Sequence, residues 1–285
     1  MNTVNGSGPR KAIFITGAAS GMGREGAKLF AQRGWYVGAV DVNEKGLATL
    51  AQELGTERLW THRLDVTRKE DVESVLAAFV AAAGNRLDLM WNNAGIGESG
   101  WFEDVPFDAS MRVVNINFIG VLHGAWAALP HLKKTPGSLM FSTSSSSATY
   151  GMPRIAVYAA TKFAVKGLTE ALSIEWARHG VRVADTLPGL IDTPILTETK
   201  NHSADAPPNS RENLLANAPK KGPFRLMPPD SVGKAVWDAY HDTKGRIHWY
   251  VPKQIGWLDR LKGIISPEFV RKRIMKSSPV MRREN

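Results

Sequence analysis

The sequence predicts one α/β domain built on a doubly wound parallel sheet, and three observations carry that prediction. Seven short apolar runs, at 11–16, 35–40, 59–64, 87–91, 138–141, 181–187 and 247–251, alternate mostly with longer helical patterns, the rhythm of strand–helix–strand units. The first run leads directly into a glycine-rich turn and then a helical pattern. With 285 residues, 43% of them hydrophobic, the chain can bury one good core and is too short for two generous domains.

The first run, KAIFIT, is apolar and β-branched, as a strand requires. Gly17, Ala18, Ala19, Ser20, Gly21, Met22 and Gly23 follow, and Ala27, Leu29, Phe30 and Ala31 then recur at helical spacing. Glycines in such a turn let the backbone approach a pyrophosphate, whose charge is favoured by the free N–H groups at the helix start. The spacing Gly-x-x-x-Gly-x-Gly departs from the Gly-x-Gly-x-x-Gly dinucleotide fingerprint, so that generic motif is not claimed. Asp41 ends the second run, eighteen residues after Gly23. A carboxylate there can accept hydrogen bonds from the adenosine ribose and would repel the extra phosphate of NADP, which favours NAD. Taken alone, Asp41 suits an ordinary strand-end turn equally well. Arg24 is the one nearby cation that argues the other way.

Tyr158 and Lys162 are four residues apart, and Ser145 stands thirteen residues before the tyrosine in a polar run. On a helix, residues i and i+4 are neighbours, which brings the ammonium close to the phenol. A free phenol has a pKa of about 10, and both a lysine and a bound nicotinamidium cation favour phenolate, moving the group towards use as an acid or base. By itself Tyr-x-x-x-Lys arises easily by chance.

Taken together, Thr16 to Gly23, Asp65-Val66, Asn92-Asn93-Ala94-Gly95, Asn117-x-x-Gly120, Ser145, Tyr158-x-x-x-Lys162 and Pro188-Gly189-x-x-x-Thr193 resemble the short-chain dehydrogenase/reductase family in order and spacing. The resemblance covers residues 10–252 and implies a Rossmann-like catalytic domain. It implies that Asp65 and Val66 meet the adenine, that Asn93, Ala94 and Gly95 line the cofactor, and that Ile191 and Thr193 bond the nicotinamide carboxamide. It further implies a tetrad of Asn117, Ser145, Tyr158 and Lys162. Ser145 would hydrogen-bond the substrate oxygen, Tyr158 would exchange the proton, and Asn117, mid-helix, would hold a water linking Lys162 to solvent. Asn117 is chosen over Asn115 because Asn-x-x-Gly matches the family pattern, and Ser145 among four consecutive serines from its distance to Tyr158. The implied activity is hydride transfer between NAD(H) and a secondary alcohol or ketone. An NADPH-dependent carbonyl reductase and a non-catalytic NAD-binding sensor or scaffold are the rivals. The family also implies a homodimer or homotetramer.

Residues 194–229 hold seven prolines that break any long element. By the resemblance this is a lid over the substrate, and Met152, Ile155, Leu196, Leu214, Leu215, Phe224 and Met227 would suit a bulky, hydrophobic one. Residues 1–9 read as a flexible lead-in. The absence of cysteine excludes disulfides, and without a charged-then-apolar leader a cytoplasmic location is expected. The seven histidines show no ligand spacing, so no metal is expected. Residues 253–285 carry +6 of the net +9, interleaved with aromatic and aliphatic residues. Packing on the lid or a partner subunit is favoured over peripheral contact with an anionic membrane, and nucleic-acid binding is not expected.

Overall fold

The computed structural model describes residues 10–203, 211–262 and 264–277. Seven parallel strands form one sheet: β1 (Ala12–Thr16), β2 (Tyr36–Asp41), β3 (Leu59–Arg63), β4 (Leu89–Asn92), β5 (Leu139–Thr143), β6 (Arg182–Pro188) and β7 (His248–Val251). Their spatial order is β3-β2-β1-β4-β5-β6-β7. All seven predicted strands are present, with ends moved by one or two residues.

The helices are α1 (Gly21–Gln32), α2 (Glu44–Leu54), α3 (Lys69–Ala82), α4 (Phe107–Val114), α5 (Gly120–Leu132) and α6 (Ala156–Glu175), then α7 (Ile195–Glu198), α8 (Arg211–Asn217), α9 (Asp230–Tyr240), α10 (Ile255–Lys262) and α11 (Pro267–Ser277). Every residue of β1 and of β5 is buried, because a parallel strand is covered on both faces. Successive side chains point to opposite faces. Ile13 and Ile15 join a layer with Phe30, Trp35, Trp91 and Val236, and Phe14 joins a second with Leu76, Phe79, Met90 and Ala128. Burial of a side chain such as Phe79 contributes about 2–3 kcal/mol.

From β1 the chain runs outward through β2 to β3, then crosses back to β4 on the other side of β1, so the strand order reverses beside β1. The crevice beyond the carboxyl ends of those strands is where this architecture binds ligands. Helix α1 lies tightly there, since a Cβ on Gly26 would come within 2.2 Å of the Trp91 ring.

The continuous helix from Phe107 to Leu132, with a π-helical turn at Asn115–Ile119 between α4 and α5, is long and apolar enough to cross a membrane by length and composition. Its apolarity has another use here: Val121, Ala125, Ala128 and Leu132 are buried, the last three in the second core layer.

Among its described residues the proline-rich segment holds only the short α7 and α8, a two-residue parallel pairing of Lys200–Asn201 with Glu98–Ser99, and a bridge from Ile191 to Met227. The lead-in at 1–9, Pro207, Pro208 and the Leu214 side chain fall outside the described residues.

Candidate active site

The turn after β1 is shaped by close approach. Gly17 has φ +68°, and a Cβ there would sit 2.8 Å from Ala94 Cα. A Cβ on Gly23 would meet the Gly17 carbonyl oxygen at 2.2 Å. The first intrahelical bond of α1 is Arg24 N–H to Ser20 O at 3.2 Å, so the N–H groups of Gly21, Met22 and Gly23 precede it at the positive end of the helix. Backbone donors and missing side chains of this kind fit a pyrophosphate. Asp41 stands at the end of β2, one carboxylate oxygen accepting from Ala19 N–H at 3.0 Å and the other from Asn43 N–H at 2.9 Å. Arg24 is engaged beside that site, its guanidinium reaching Ala19 O at 3.4 Å. Its guanidinium donates to Gly46 O at 2.9 Å and pairs with Glu53, tying α1 to α2.

All the sequence-predicted site residues except Gly23 and Asn117 line one cleft of about 500 Å³. Asp65, Val66, Asn93, Ala94 and Gly95 form one stretch of wall, and Ile191 and Thr193 another. Asp65 also fixes its own turn by accepting from Thr67 N–H at 3.0 Å and from its hydroxyl at 2.7 Å. Asn93 is a tie between strands: its amide donates to Thr16 O at 3.1 Å, and its carbonyl oxygen accepts from the Thr143 hydroxyl at 3.2 Å.

Ser145, Tyr158 and Lys162 meet at one end of this cleft. Ile155 takes a non-helical conformation just before α6, placing Tyr158 in the first turn and Lys162 one turn on. Ser145 Oγ accepts from Ser147 N–H at 3.1 Å, which leaves its own proton to donate. Burial raises the Tyr158 phenol above its ordinary value, and a hydrogen bond from Ser145 opposes that by favouring phenolate. The expectation that the site lowers the phenol therefore reverses for the fold by itself, because desolvation outweighs the hydrogen bond. Lys162 is 3% exposed, and burial pushes its ammonium down to about 8.

Two of the residues expected to form a tetrad are held by backbone groups far from them in the chain. Lys162 Nζ lies 5.4 Å from the centre of the Tyr158 ring and donates to Thr143 O at 2.9 Å, so the strand end, not the i+4 relation alone, aims it. The Asn117 carboxamide is engaged by the backbone of Ile96: it accepts from Ile96 N–H at 2.9 Å and donates to Ile96 O at 2.9 Å. Asn117 sits in the π-helical turn, fully buried behind the wall.

Thr143 and Ser144 escaped the sequence, and Thr16, which opens the glycine motif, was given no role of its own. Thr16 Oγ accepts from the N–H groups of Asn93 and Ala94, each at 3.0 Å, and Ser144 Oγ donates to Lys162 O at 2.8 Å. For Thr143 and Ser144 the only sequence signal was position at a strand end. Glu98 and Arg112 also line the cleft, joined at 2.8 Å, and His202 holds the other Glu98 oxygen at 2.9 Å. The apolar set expected to shape a substrate wall is divided. Leu196 lines the cleft, and Ile155 lines a small neighbouring pocket that also touches Tyr158. Met152 is half-buried, Met227 packs on the core, and Leu215 and Phe224 are exposed, so residues 194–229 turn their apolar side chains in different directions.

Comparison with known proteins agrees with this geometry. Residues 11–204 match the short chain dehydrogenase family. An uncharacterized short-chain type dehydrogenase/reductase of Sinorhizobium fredii is 34% identical over 80% of this chain, which spans 40% of that longer protein. A 3-ketoacyl-(acyl-carrier-protein) reductase from Brucella melitensis, solved with NADH, superposes with a TM-score of 0.72 at 30% identity, covering 85% of this chain and 96% of that one. An alcohol dehydrogenase from Thermococcus sibiricus, solved with 5-hydroxy-NADP, gives 0.70 at 25% identity, covering 85% and 94%. With its seven-stranded parallel sheet, glycine turn and family match over most of its length, the chain belongs to the short-chain dehydrogenase family of nicotinamide-dependent oxidoreductases.

Proposed function

We propose that the protein transfers a hydride between NAD(H) and a bulky, hydrophobic secondary alcohol or the matching ketone, with Tyr158 as general acid and base. One observation carries this reading: Ser145, Tyr158 and Lys162 share a single cleft with the glycine turn and Asp41. The nicotinamide supplies the hydride acceptor or donor at this site. In oxidation Ser145 orients the substrate hydroxyl, Tyr158 as phenolate takes its proton, and Lys162 stabilises the phenolate. In reduction Tyr158 returns the proton to the forming alkoxide. Asn117 acts by position, clamping Ile96 so that Gly95 stays beside Lys162; a Cβ on Gly95 would lie 3.3 Å from Asn117 Oδ1 and 3.6 Å from Lys162 Nζ.

Preference for NAD rests on Asp41 at the ribose position and on the engagement of Arg24 with α2, which leaves it badly placed to pair a 2′-phosphate. The segment 194–229 acts as the lid, supported by Ile195 and Leu196 on the cleft wall. A homodimer or homotetramer suits the exposed Phe107, Met111 and Trp126 of α4 and α5 and Ile174 of α6. The test is absorbance at 340 nm with NAD or NADP and secondary alcohols graded from small aliphatic to steroidal. Turnover with NAD that rises with substrate bulk is expected. Tyr158→Phe should abolish turnover and leave NADH affinity within about threefold; undiminished turnover in that variant would sink the mechanism.

A further inference from the structure

The C-terminal helices divide their surfaces in a way the sequence did not foretell. One side of α10 is committed to the body of the protein. Ile255 is fully buried, Gly256 abuts the Tyr250 ring, and Asp259 pairs with Lys166 at 2.7 Å while accepting from the Tyr250 hydroxyl at 2.7 Å. The Tyr150 hydroxyl reaches Pro267 O at 3.4 Å at the start of α11. The other side carries Trp257 at 70% exposure, Ile264 at 82% and Phe269 at 61%, with Leu261 and Met275 also exposed. Packing on the lid, favoured from the sequence, does not cover these side chains.

Between them lie the exposed cations Lys253, Arg260, Arg271 and Lys272, while Lys262 turns back over the Phe163 ring at 4.4 Å. Of the two carboxylates on α10 and α11, Asp259 is spent on Lys166, which leaves Glu268 alone to oppose them. Single exposed apolar residues are ordinary, but five large ones interleaved with four cations form a surface with two matched affinities. The geometry points to an anionic lipid bilayer as the partner of this face, with Trp257, Ile264 and Phe269 entering the headgroup layer and the cations meeting lipid phosphates. A second copy related by a twofold axis would bring the same cations face to face. A nucleic-acid backbone would satisfy the cations and leave the apolar side chains wet.

The opposite, body-facing side of α10 borders the cleft. Gly189 lines the cleft, and a Cβ on it would lie 2.8 Å from Ile255 at the start of α10. Docking would therefore leave α10 between the cleft and the bilayer, a spacing of about 10 Å or one helix diameter, close enough to favour an amphiphilic alcohol; that consequence rests on the proposed chemistry, and the docking does not.

Co-sedimentation of the full chain with vesicles of phosphatidylcholine, with and without phosphatidylglycerol, tests the proposal. Binding at least tenfold stronger to the anionic vesicles is expected, falling as salt rises, since each cation near the surface is worth about fivefold in partitioning. The double substitution Trp257→Ser, Phe269→Ser should remove at least tenfold of that binding while leaving the thermal midpoint within about 2 °C, because both side chains are already in water. Arg260→Gln with Lys272→Gln should weaken anionic binding alone. Absence of anionic preference, or equal binding by the apolar variant, overturns the proposal. So does a wild type that ignores vesicles while the apolar variant halves its mass in solution, which would assign the face to a second copy.

Discussion

Replacing Lys162 by methionine should make the protein more stable at neutral pH and inactive. The ammonium is buried, no salt bridge to it exists among the described residues, and its one hydrogen bond goes to Thr143 O at 2.9 Å. Burial lowers it from an ordinary 10.5 to about 8. Between those values the unfolded chain binds more protons than the folded one, so stability rises as pH climbs from about 8 to 10.5 and the full penalty applies below 8. A gap of that size corresponds to about 3 kcal/mol against the fold at pH 7. Methionine fills similar space without charge but forfeits the bond to Thr143 O, a loss of about 1 kcal/mol. The net expectation is a gain of about 2 kcal/mol at pH 7, a rise of roughly 5 °C in Tm for a chain of this size, shrinking to nothing or reversing at pH 10.5. Unfolding of both proteins at pH 7, 8.5 and 10 without cofactor, read as the difference between them, isolates this group from the other titrations. A methionine variant less stable at pH 7, or a difference that ignores pH, would refute the reasoning. Turnover should fall by at least about a hundredfold, because the phenolate loses its cation.

Asp41→Asn removes the charge at the ribose position while keeping one acceptor oxygen for the N–H groups of Ala19 and Asn43. The NADP to NAD ratio of kcat/KM should rise by roughly tenfold to a hundredfold, about 1–3 kcal/mol, and an unchanged ratio would remove the argument for NAD. Arg24→Ala, which breaks the tie to Gly46 and Glu53, should change that ratio by less than about threefold. Gly26→Ala drives a methyl to within 2.2 Å of the Trp91 ring and should cost about 1–3 kcal/mol in urea unfolding, with unaltered cofactor preference. His202→Ala removes the contact to Glu98 at 2.9 Å and should hasten amide exchange at His202 itself, whose N–H bonds Ser99 O at 2.8 Å; exchange equal to wild type would show that the pairing stands without the histidine.

The fold was legible because its signals are local. Strands buried on both faces are written as unbroken apolar runs such as AIFIT and LMFST, and the glycine turn must follow β1 directly. The phenol and ammonium of α6 were legible for the same reason, since one helical turn separates them. Arg24 was ambiguous until α2 lay across it and supplied Gly46 and Glu53. Neither the grip of Asn117 on Ile96, 21 residues away, nor that of Glu98 on His202, 104 residues away, leaves a mark in any local pattern. Sequence by itself determined which groups this protein possesses and the order of its strands and helices along the chain. Tertiary structure alone decided what each group faces and how dry its surroundings are, and it is desolvation, a property of packed neighbours far apart in the chain, that raises Tyr158 and lowers Lys162.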